Sequence, residues 1–227
     1  MKLLKSDKIE SRTYQEVIAA SAISNNTLVV LPTGLGKTVI AAMVAARKAE
    51  DGKVLFLAPT KPLSEQHRST FNEFLELPEV DLSLMTGETR PDERYRLWKE
   101  KRIFFATPQV VENDLISGEV PIEEFSLVIF DEAHRATGEY SYVFISEKMS
   151  QVDRLALTAS PGGTREKIDE VSDNLYIENY EVRTEDDPDV EPYIQERDVN
   201  WLEVSLDDRF EAAKKNLEES YREHLKE

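Results

Sequence analysis

The segment Leu31-Pro32-Thr33-Gly34-Leu35-Gly36-Lys37-Thr38 decides the fold of this 227-residue chain. An apolar, β-branched run from Thr27 precedes it, and a long helical pattern opens after it at Val39. A strand, a tight loop and a helix start are the context of a phosphate-binding loop, whose main-chain N–H groups and helix N-terminus hold a polyphosphate. Lys37 can then reach the β- and γ-phosphates, and the Thr38 hydroxyl can ligate Mg²⁺.

The segment departs from the general pattern of such loops at one position. The pattern G-x-x-x-x-G-K-[ST] has a glycine where this chain has Leu31, although the loop has the same length. The competing interpretation is a glycine turn before a helix, with an incidental lysine. The surrounding strand and helix patterns favour the phosphate-binding loop.

Composition limits the class of protein. The chain has no cysteine and a net charge of −17. Disulfides and thiolate chemistry are therefore excluded. No signal peptide and no apolar run of about 20 residues is visible, so we expect an intracellular chain without a membrane span. Residues 1–50 carry 7 basic and 4 acidic side chains, whereas residues 151–200 carry 5 and 14. Any contact with nucleic acid must therefore be local.

Short apolar strands alternate with helical patterns along the chain. The predicted strands are 27–31, 54–58, 82–85, 103–106, 127–130 and 154–158, and the predicted helices are 12–23, 39–50, 63–75, 91–100, 109–116 and one ending near 174. This alternation predicts an α/β domain with a mainly parallel sheet and helices on both faces. Ligands bind outside the carboxyl ends of such strands, where every motif lies, so we expect one composite site.

The second chemical element is Asp131-Glu132-Ala133-His134, which follows the apolar strand 127–130. A carboxylate at this position can hold Mg²⁺, and we assign that role to Asp131. Glu132 should then polarise the water that attacks a γ-phosphate, and His134 should lie near that phosphate as a sensor. A solvated Asp-Glu pair at a strand end is the alternative. With three histidines and no cysteine, a zinc site is not expected.

These segments resemble the motifs of a known family. Leu31–Thr38, Asp131–His134 and Thr158–Pro161 resemble motifs I, II and III of superfamily 2 helicases. A narrower resemblance, to the archaeal Hef helicase/nuclease and the Fanconi anaemia group M helicases, rests on Ala58–Leu63, Ala106–Gln109, Asp131–Ala136, and Asp187–Tyr193 followed by the Trp201 strand. The resemblance covers essentially the whole chain.

The resemblance implies a RecA-like P-loop NTPase domain that uses ATP and Mg²⁺. Arg12 would stack on adenine and Gln15 would read its edge. The implied phosphate contacts are Pro32, Thr33, Gly34, Leu35, Gly36, Lys37 and Thr38. The implied track for one nucleic-acid strand is Pro59, Thr60, Lys61, Thr86, Gly87, Thr107 and Pro108, which would hold phosphates without reading sequence. Thr158 and Ser160 would couple the state of ATP to that track.

The resemblance also implies a domain organisation. Residues 1–180 would form the first RecA-like helicase domain, 181–198 an acidic linker, and 199–227 a strand and helix leading into a second domain that the chain lacks. Full-length relatives act as ATP-driven DNA helicases on branched DNA such as forks and Holliday junctions. Because the second domain supplies an arginine finger, we expect this fragment to bind ATP weakly, without appreciable ATPase or unwinding. The expected location is cytoplasmic in an archaeon or nuclear in a eukaryote.

Other functions compete with this one. A double-stranded RNA translocase or sensor of the related Dicer and innate-immunity type shares the motifs. The motifs do not distinguish RNA from DNA, since that choice depends on contacts with the 2′-OH. A nucleotide-dependent DNA-binding module without turnover is a third possibility. A transporter-type ATPase is disfavoured, since no Leu-Ser-Gly-Gly-Gln-like signature is present.

The tail of the chain predicts an interaction surface. Residues 199–206 alternate like a strand, and Ser205 can cap a helix that follows. That helix carries one apolar stripe, formed by Phe210, Ala213, Leu217, Tyr221 and Leu225. A lone helix of about 20 residues is marginal in water, so the stripe needs a partner. We expect residues 199–227 to pack on the first domain or on another copy of the chain.

Overall fold

The computed structural model describes residues 3–5, 8, 11–76, 81–160, 164–194 and 207–224. The chain divides into two compact units, Met1–Ile194 and Gln195–Glu227. Every residue predicted for the functional site belongs to the first unit.

The first unit is built on a seven-stranded sheet in the order β3-β4-β2-β5-β6-β1-β7, and every strand pair that the structure describes is parallel. The strands are β1 (Thr27–Val30), β2 (Lys53–Leu57), β3 (Leu82–Met85), β4 (Ile103–Ala106), β5 (Phe125–Asp131), β6 (Asp153–Thr158) and β7 (Asn179–Val182). The registers align their carboxyl ends: Leu57 pairs with Ala106 and Phe130, and Val30 pairs with Thr158. The loops that follow these strands therefore meet along one edge.

Helices connect the strands. In the first unit they are α1 (Thr13–Ser24), α2 (Lys37–Lys48), α3 (Lys61–Phe74), α4 (Pro91–Glu100), α5 (Pro108–Ile116), α6 (Ser141–Lys148) and α7 (Arg165–Asn174). Proline is the first residue of α4 and of α5, where its fixed φ suits a helix start and its missing N–H costs nothing. None of the described helices is long and apolar enough to cross a membrane.

The core lies on both faces of the sheet. Alternate residues of β2 enter opposite clusters, with Val54 and Phe56 on one side and Leu55 and Leu57 on the other. The central strands are apolar at successive positions because helices cover both faces of the sheet. This arrangement confirms the predicted α/β class with helices on both faces, and the described sheet is parallel throughout.

The structure adds two elements that the sequence patterns did not reveal, α6 and β7. β7 reads Asn179-Tyr180-Glu181-Val182 and is half-exposed at the sheet edge, so it lacks the apolar run that marked the central strands. The predicted domain boundary at residue 180 therefore lies inside β7, and the first unit continues to Ile194. Within the predicted acidic linker, Val190 is fully buried in the core cluster of α1 and α2.

The described part of the second unit contains α8 (Asp208–His224). Phe210, Leu217 and Tyr221 of the predicted stripe are exposed on this helix. The predicted strand over residues 199–206 and the last stripe residue, Leu225, lie outside the described residues. Self-association through residues 199–227 stays a prediction.

A buried ion pair joins α4 to the last turn of α5. The guanidinium of Arg94 donates to the carboxylate of Asp114 at 2.6 and 2.8 Å, and the indole N–H of Trp98 donates to the same carboxylate at 2.9 Å. Only 2% of Asp114 and 8% of Arg94 is exposed. Removing one partner would leave the other charge buried and unpaired.

We expect Asp114→Ala to lower the free energy of unfolding by roughly 3–5 kcal/mol, the usual cost of breaking a buried pair. Urea unfolding followed by circular dichroism measures the change. Asp92→Ala is the matched control: its 3.1 Å pair with Arg90 is largely exposed, so it should cost at most about 1 kcal/mol. Equal losses in the two variants would contradict a structural role for the buried pair.

Candidate functional site

The loop between β1 and α2 has the backbone of a phosphate-binding loop. Gly34 and Gly36 have φ of +87° and +84°, in the left-handed region that favours glycine. α2 begins at Lys37, directly after the second glycine, so its free N–H groups open toward the loop. The N–H of Leu31 donates to the carbonyl of Thr158 at 3.0 Å, which joins the loop to the end of β6.

Lys37 bends back over the loop. Its ammonium donates to the carbonyl oxygens of Leu31 at 2.7 Å and of Pro32 at 3.3 Å. Burial lowers the pKa of Lys37, while the carboxylates of Glu132 and Asp131 act in the opposite direction. The lysine of the loop therefore lies within electrostatic reach of the acid pair, as a composite site requires.

The start of α1 packs against the apex of the loop. The hydroxyl of Tyr14 and the amide of Gln15 both donate to the carbonyl of Leu35, at 2.7 and 3.1 Å. The other end of the Gln15 amide accepts the N–H of Arg12 at 3.0 Å. Gln15 thus ties α1 to the loop, and its reading of a base stays a prediction.

Arg12 stacks on an aromatic ring that the sequence analysis did not assign to the site. Its guanidinium carbon lies 4.6 Å from the ring centroid of Tyr193. The same guanidinium donates to the hydroxyl of Tyr14 at 3.1 Å. Tyr193 was part of the segment that carried the family resemblance, but no sequence pattern indicated its contact with α1.

The acid pair lies at the carboxyl end of β5. Asp131 is its last residue and is 6% exposed. Glu132 follows with a φ of +50°, an unusual backbone for a residue with a side chain, and strain of this kind is concentrated at functional sites. The turn points two adjacent acids in different directions, as separate roles for Asp131 and Glu132 require.

Two buried residues hold Asp131, and neither was among the predicted site residues. Nε2 of His67, on α3, lies 2.9 Å from Oδ2 of Asp131, and the Tyr142 hydroxyl donates to the Asp131 carbonyl at 2.7 Å. Among the described residues, Nδ1 of His67 has no hydrogen-bond partner, so the ring contacts the site through Nε2 alone. The helical period of α3 places His67 on the buried face with Ser64 and Phe71, the one sequence signal that could have indicated it.

His134 connects the acid pair to the end of β6. Its Nδ1 lies 3.3 Å from a carboxylate oxygen of Glu132 and 3.1 Å from the hydroxyl of Thr158. That hydroxyl donates to the carbonyl of Ser160 at 2.7 Å and accepts the Ser160 N–H at 3.1 Å. Hydrogen bonds therefore link His134, Thr158 and Ser160, and His134 lies within ion-pair distance of Glu132.

The residues predicted for a nucleic-acid track follow β2, β3 and β4, which are neighbours in the sheet. Lys61, the first residue of α3, forms a 2.6 Å ion pair with Glu88 in the loop after β3. The N–H of Thr107 donates to the carbonyl of Met85 at 3.3 Å, so the loops after β3 and β4 are also joined. The members of this set are Pro59, Thr60, Lys61, Thr86, Gly87, Thr107 and Pro108. They share one edge, although Thr86 and Pro108 are buried and offer little side-chain surface.

Among the described residues, no group of three or more histidine or acidic side chains could hold a metal ion by itself. The predicted Mg²⁺ ligands, Thr38 and Asp131, supply a hydroxyl and a carboxylate oxygen. This donor set fits Mg²⁺, which keeps several waters and takes one or two protein oxygens together with phosphate oxygens. Since Lys37 precedes Thr38 and lies within electrostatic reach of Asp131, both ligands belong to the same edge.

A parallel sheet with a glycine loop after β1 and an acid pair after β5 defines a RecA-like P-loop domain. Residues 8–163 match the family described as type III restriction enzyme, res subunit, and the chain belongs to this family. The resemblance to superfamily 2 helicases of the Hef and Fanconi anaemia group M type is confirmed by the relatives and by the solved structure that follow.

The relatives are much longer than this chain. A Methanocaldococcus jannaschii protein, MJ1505, whose name provisionally describes it as an ATP-dependent RNA helicase, is 45% identical over 227 residues, which are 99% of this chain and 29% of that protein. The Drosophila melanogaster DEAD-box ATP-dependent DNA helicase Fancm is 42% identical over 217 residues, 91% of this chain and 15% of the relative. The crystal structure of the Pyrococcus furiosus Hef helicase domain superposes with a TM-score of 0.84 at 46% identity, and the match covers 99% of this chain and 48% of that one.

We expect Gly36→Ala to destabilise the protein more than Gly34→Ala. Both glycines have a positive φ, which costs an alanine roughly 1–2 kcal/mol. A Cβ at Gly36 would also lie 2.3 Å from Nε2 of Gln15, whereas a Cβ at Gly34 meets nothing within 4 Å. Urea unfolding of the two variants gives the comparison. Equal destabilisation of the two variants would mean that the Gln15 side chain can move away from a Cβ at position 36 without loss of stability.

Proposed function

We propose that the chain is the ATP-binding part of an ATP-dependent DNA helicase or translocase that acts on branched DNA such as forks and Holliday junctions in repair. The observation that carries this proposal is that the loop and the acid pair flank one strand: β1 and β5 both pair with β6, and the Leu31 N–H donates to the carbonyl of Thr158 at its end. Relatives named as DNA helicases support the activity and the nucleic acid. The chain spans less than a third of the curated relatives described above, so the activity is proposed for a longer protein.

In this proposal the loop holds the triphosphate mainly by main-chain N–H groups, from Thr33 to Thr38, with Pro32 lining the loop. Lys37 exchanges its contacts with loop carbonyls for contacts with β- and γ-phosphate oxygens. Thr38 and Asp131 would hold Mg²⁺, which neutralises charge on those oxygens. Arg12 stacks on the base, and Gln15 keeps α1 against the loop while it faces the base edge.

Hydrolysis follows from the arrangement of the acid pair. Glu132 orients a water molecule and accepts its proton while the water oxygen bonds to the γ-phosphorus. The bond from that phosphorus to the bridging oxygen breaks, and ADP and phosphate are the products. His134 contacts both Glu132 and Thr158. Loss of the γ-phosphate would change the surroundings of Glu132 and His134. The hydrogen bonds from His134 to Thr158 and from Thr158 to Ser160 would pass that change to the loop after β6.

The nucleic-acid track is proposed along the loops after β2, β3 and β4. Such a track holds phosphates without reading bases. Its cation, Lys61, is paired with Glu88, and the hydrogen bond between them is the main cause of the raised pKa of Lys61. A DNA phosphate must therefore displace Glu88, and the affinity of this chain alone for DNA should be low.

RNA is the second candidate nucleic acid, because relatives in Methanocaldococcus jannaschii and Arabidopsis thaliana carry RNA-helicase names. ATPase stimulation by forked DNA, compared with duplex RNA, distinguishes the two in a protein that includes the second domain. A binding module without turnover would show no stimulation by either. Self-association through residues 199–227, and a cytoplasmic or nuclear location, stay predictions.

In the longer protein, we expect Glu132→Gln to stop ATP turnover while ATP binding changes little. The substitution removes the proton acceptor for water, whereas Mg²⁺ coordination by Asp131 is kept. Lys37→Ala is the matched control, and it should weaken ATP binding as well as turnover. Steady-state phosphate release and equilibrium binding of a fluorescent ATP analogue are the measurements. Hydrolysis near the unaltered rate in Glu132→Gln would remove Glu132 from its role.

We expect Glu88→Gln to strengthen binding of single-stranded DNA and Lys61→Ala to weaken it. The first removes the nearer of the two carboxylates paired with Lys61, at 2.6 Å against 3.8 Å for Glu65. The second removes a phosphate contact, which should reduce the slope of log K against log salt by about 0.7. Fluorescence anisotropy of an oligothymidine at several salt concentrations measures both. Glu147→Gln, at an exposed position of α6, changes the net charge equally. If it strengthens binding as much as Glu88→Gln, the track does not include Lys61.

A further inference from the structure

The segment after β7 returns to the start of α1, beside Arg12 and Tyr14. Val190 anchors it, because this side chain is fully buried in the core cluster with Tyr14 and Ile18 of α1. A 3.1 Å ion pair between Arg183 and Asp189 closes the loop before the anchor. The next residues, Glu191–Tyr193, form a single 3₁₀ turn. The segment therefore delivers Tyr193 to the start of α1.

Tyr193 covers one face of the Arg12 guanidinium. The guanidinium carbon is 4.6 Å from the ring centroid, and the ring also lies 5.9 Å from the ring of Tyr14. Tyr193 is 40% exposed, so solvent or a ligand can reach the contact. A planar cation stacks equally well on any aromatic face, including a nucleotide base.

The separation between the two groups leaves no space for a base. An aromatic ring inserted between Arg12 and Tyr193 would need about 7 Å, twice the contact distance of about 3.5 Å. Tyr193 must therefore leave this face of Arg12 before a base can stack on it. Val190 holds the segment on the domain, so the movement is confined to the turn that carries the ring.

We propose that Tyr193 occupies the base-stacking face of Arg12 when no nucleotide is bound, and that the base of ATP competes with it. The inference rests on the proposed function, in which Arg12 stacks on the base. Tyr193 is then a residue that sets the affinity for the base without contacting the phosphates.

The test compares ATP with inorganic tripolyphosphate, which has the phosphates but no base. We expect Tyr193→Ala to bind ATP roughly two- to fivefold more tightly, the range for a half-exposed cation–π contact. Binding of tripolyphosphate should not change. Tyr193→Phe keeps a ring and should behave like the unaltered chain. Isothermal titration calorimetry with residues 1–227 and Mg²⁺ measures both ligands.

A matched control and a double variant isolate the contact. Tyr95 on α4 is 45% exposed and lies under the ammonium of Lys99, 3.8 Å from the ring centroid, so Tyr95→Ala removes a similar stack elsewhere. It should leave both affinities unchanged. Arg12→Ala should weaken ATP binding, and adding Tyr193→Ala to it should have no further effect, because the shared partner is gone.

The possible outcomes separate this inference from the proposed function. Weaker ATP binding by Tyr193→Ala would mean that the ring supports the base and would overturn the competition. An equal change for ATP and tripolyphosphate, or no change for either, would also overturn it, while the proposed function would stand. If the unaltered chain binds neither ligand, the proposed function fails, and this inference fails with it.

Discussion

The aligned carboxyl ends of the parallel strands are the constraint on which the site depends. β1 and β6 end at the paired residues Val30 and Thr158, and Asp131 ends β5 beside them. A slip of one residue in β5 would turn Asp131 to the opposite face of the sheet. The hydrogen bond from Leu31 to Thr158 extends the pairing one residue beyond the strands. Loop, acid pair and coupling residues therefore meet because the strands that carry them end side by side.

The central sheet and the phosphate loop could be predicted because each leaves a local signal. Buried strands give apolar runs, and a glycine loop before a helix is a contiguous pattern. β7 left no such run, since an edge strand alternates between half-exposed and exposed positions. The contacts of His67 with Asp131 and of Tyr193 with Arg12 join residues 64 and 181 positions apart. Contacts of that kind depend on how elements pack, which no local pattern in one sequence records.

Two buried side chains and a strained turn together position the acid pair. Asp131 is held at its carbonyl by Tyr142 and at its carboxylate by His67, so neither half of the residue is free to turn. The positive φ of Glu132 costs of order 1–3 kcal/mol, and such strain persists only where the surroundings determine it. Here the surroundings are β5 before the turn and a 3₁₀ turn at Ala133–Arg135 after it. The turn lets each acid face its own partner, with the Asp131 carboxylate 2.9 Å from His67 and the Glu132 carboxylate 3.3 Å from His134.

The basic side chains predicted for this edge have partners within the chain itself. Lys37 bonds to loop carbonyls, Lys61 to Glu88, and Arg12 to Tyr14 and Tyr193. In a chain with a net charge of −17, unpaired cations on this edge would attract the protein's own acids. Each ligand must therefore exchange an existing contact for a new one, which lowers its net affinity. The same contacts hold the cations near their binding positions, so less side-chain freedom is lost when the ligand arrives. In the proposed function, the exchanged contacts would re-form when nucleotide or nucleic acid leaves, which would favour release.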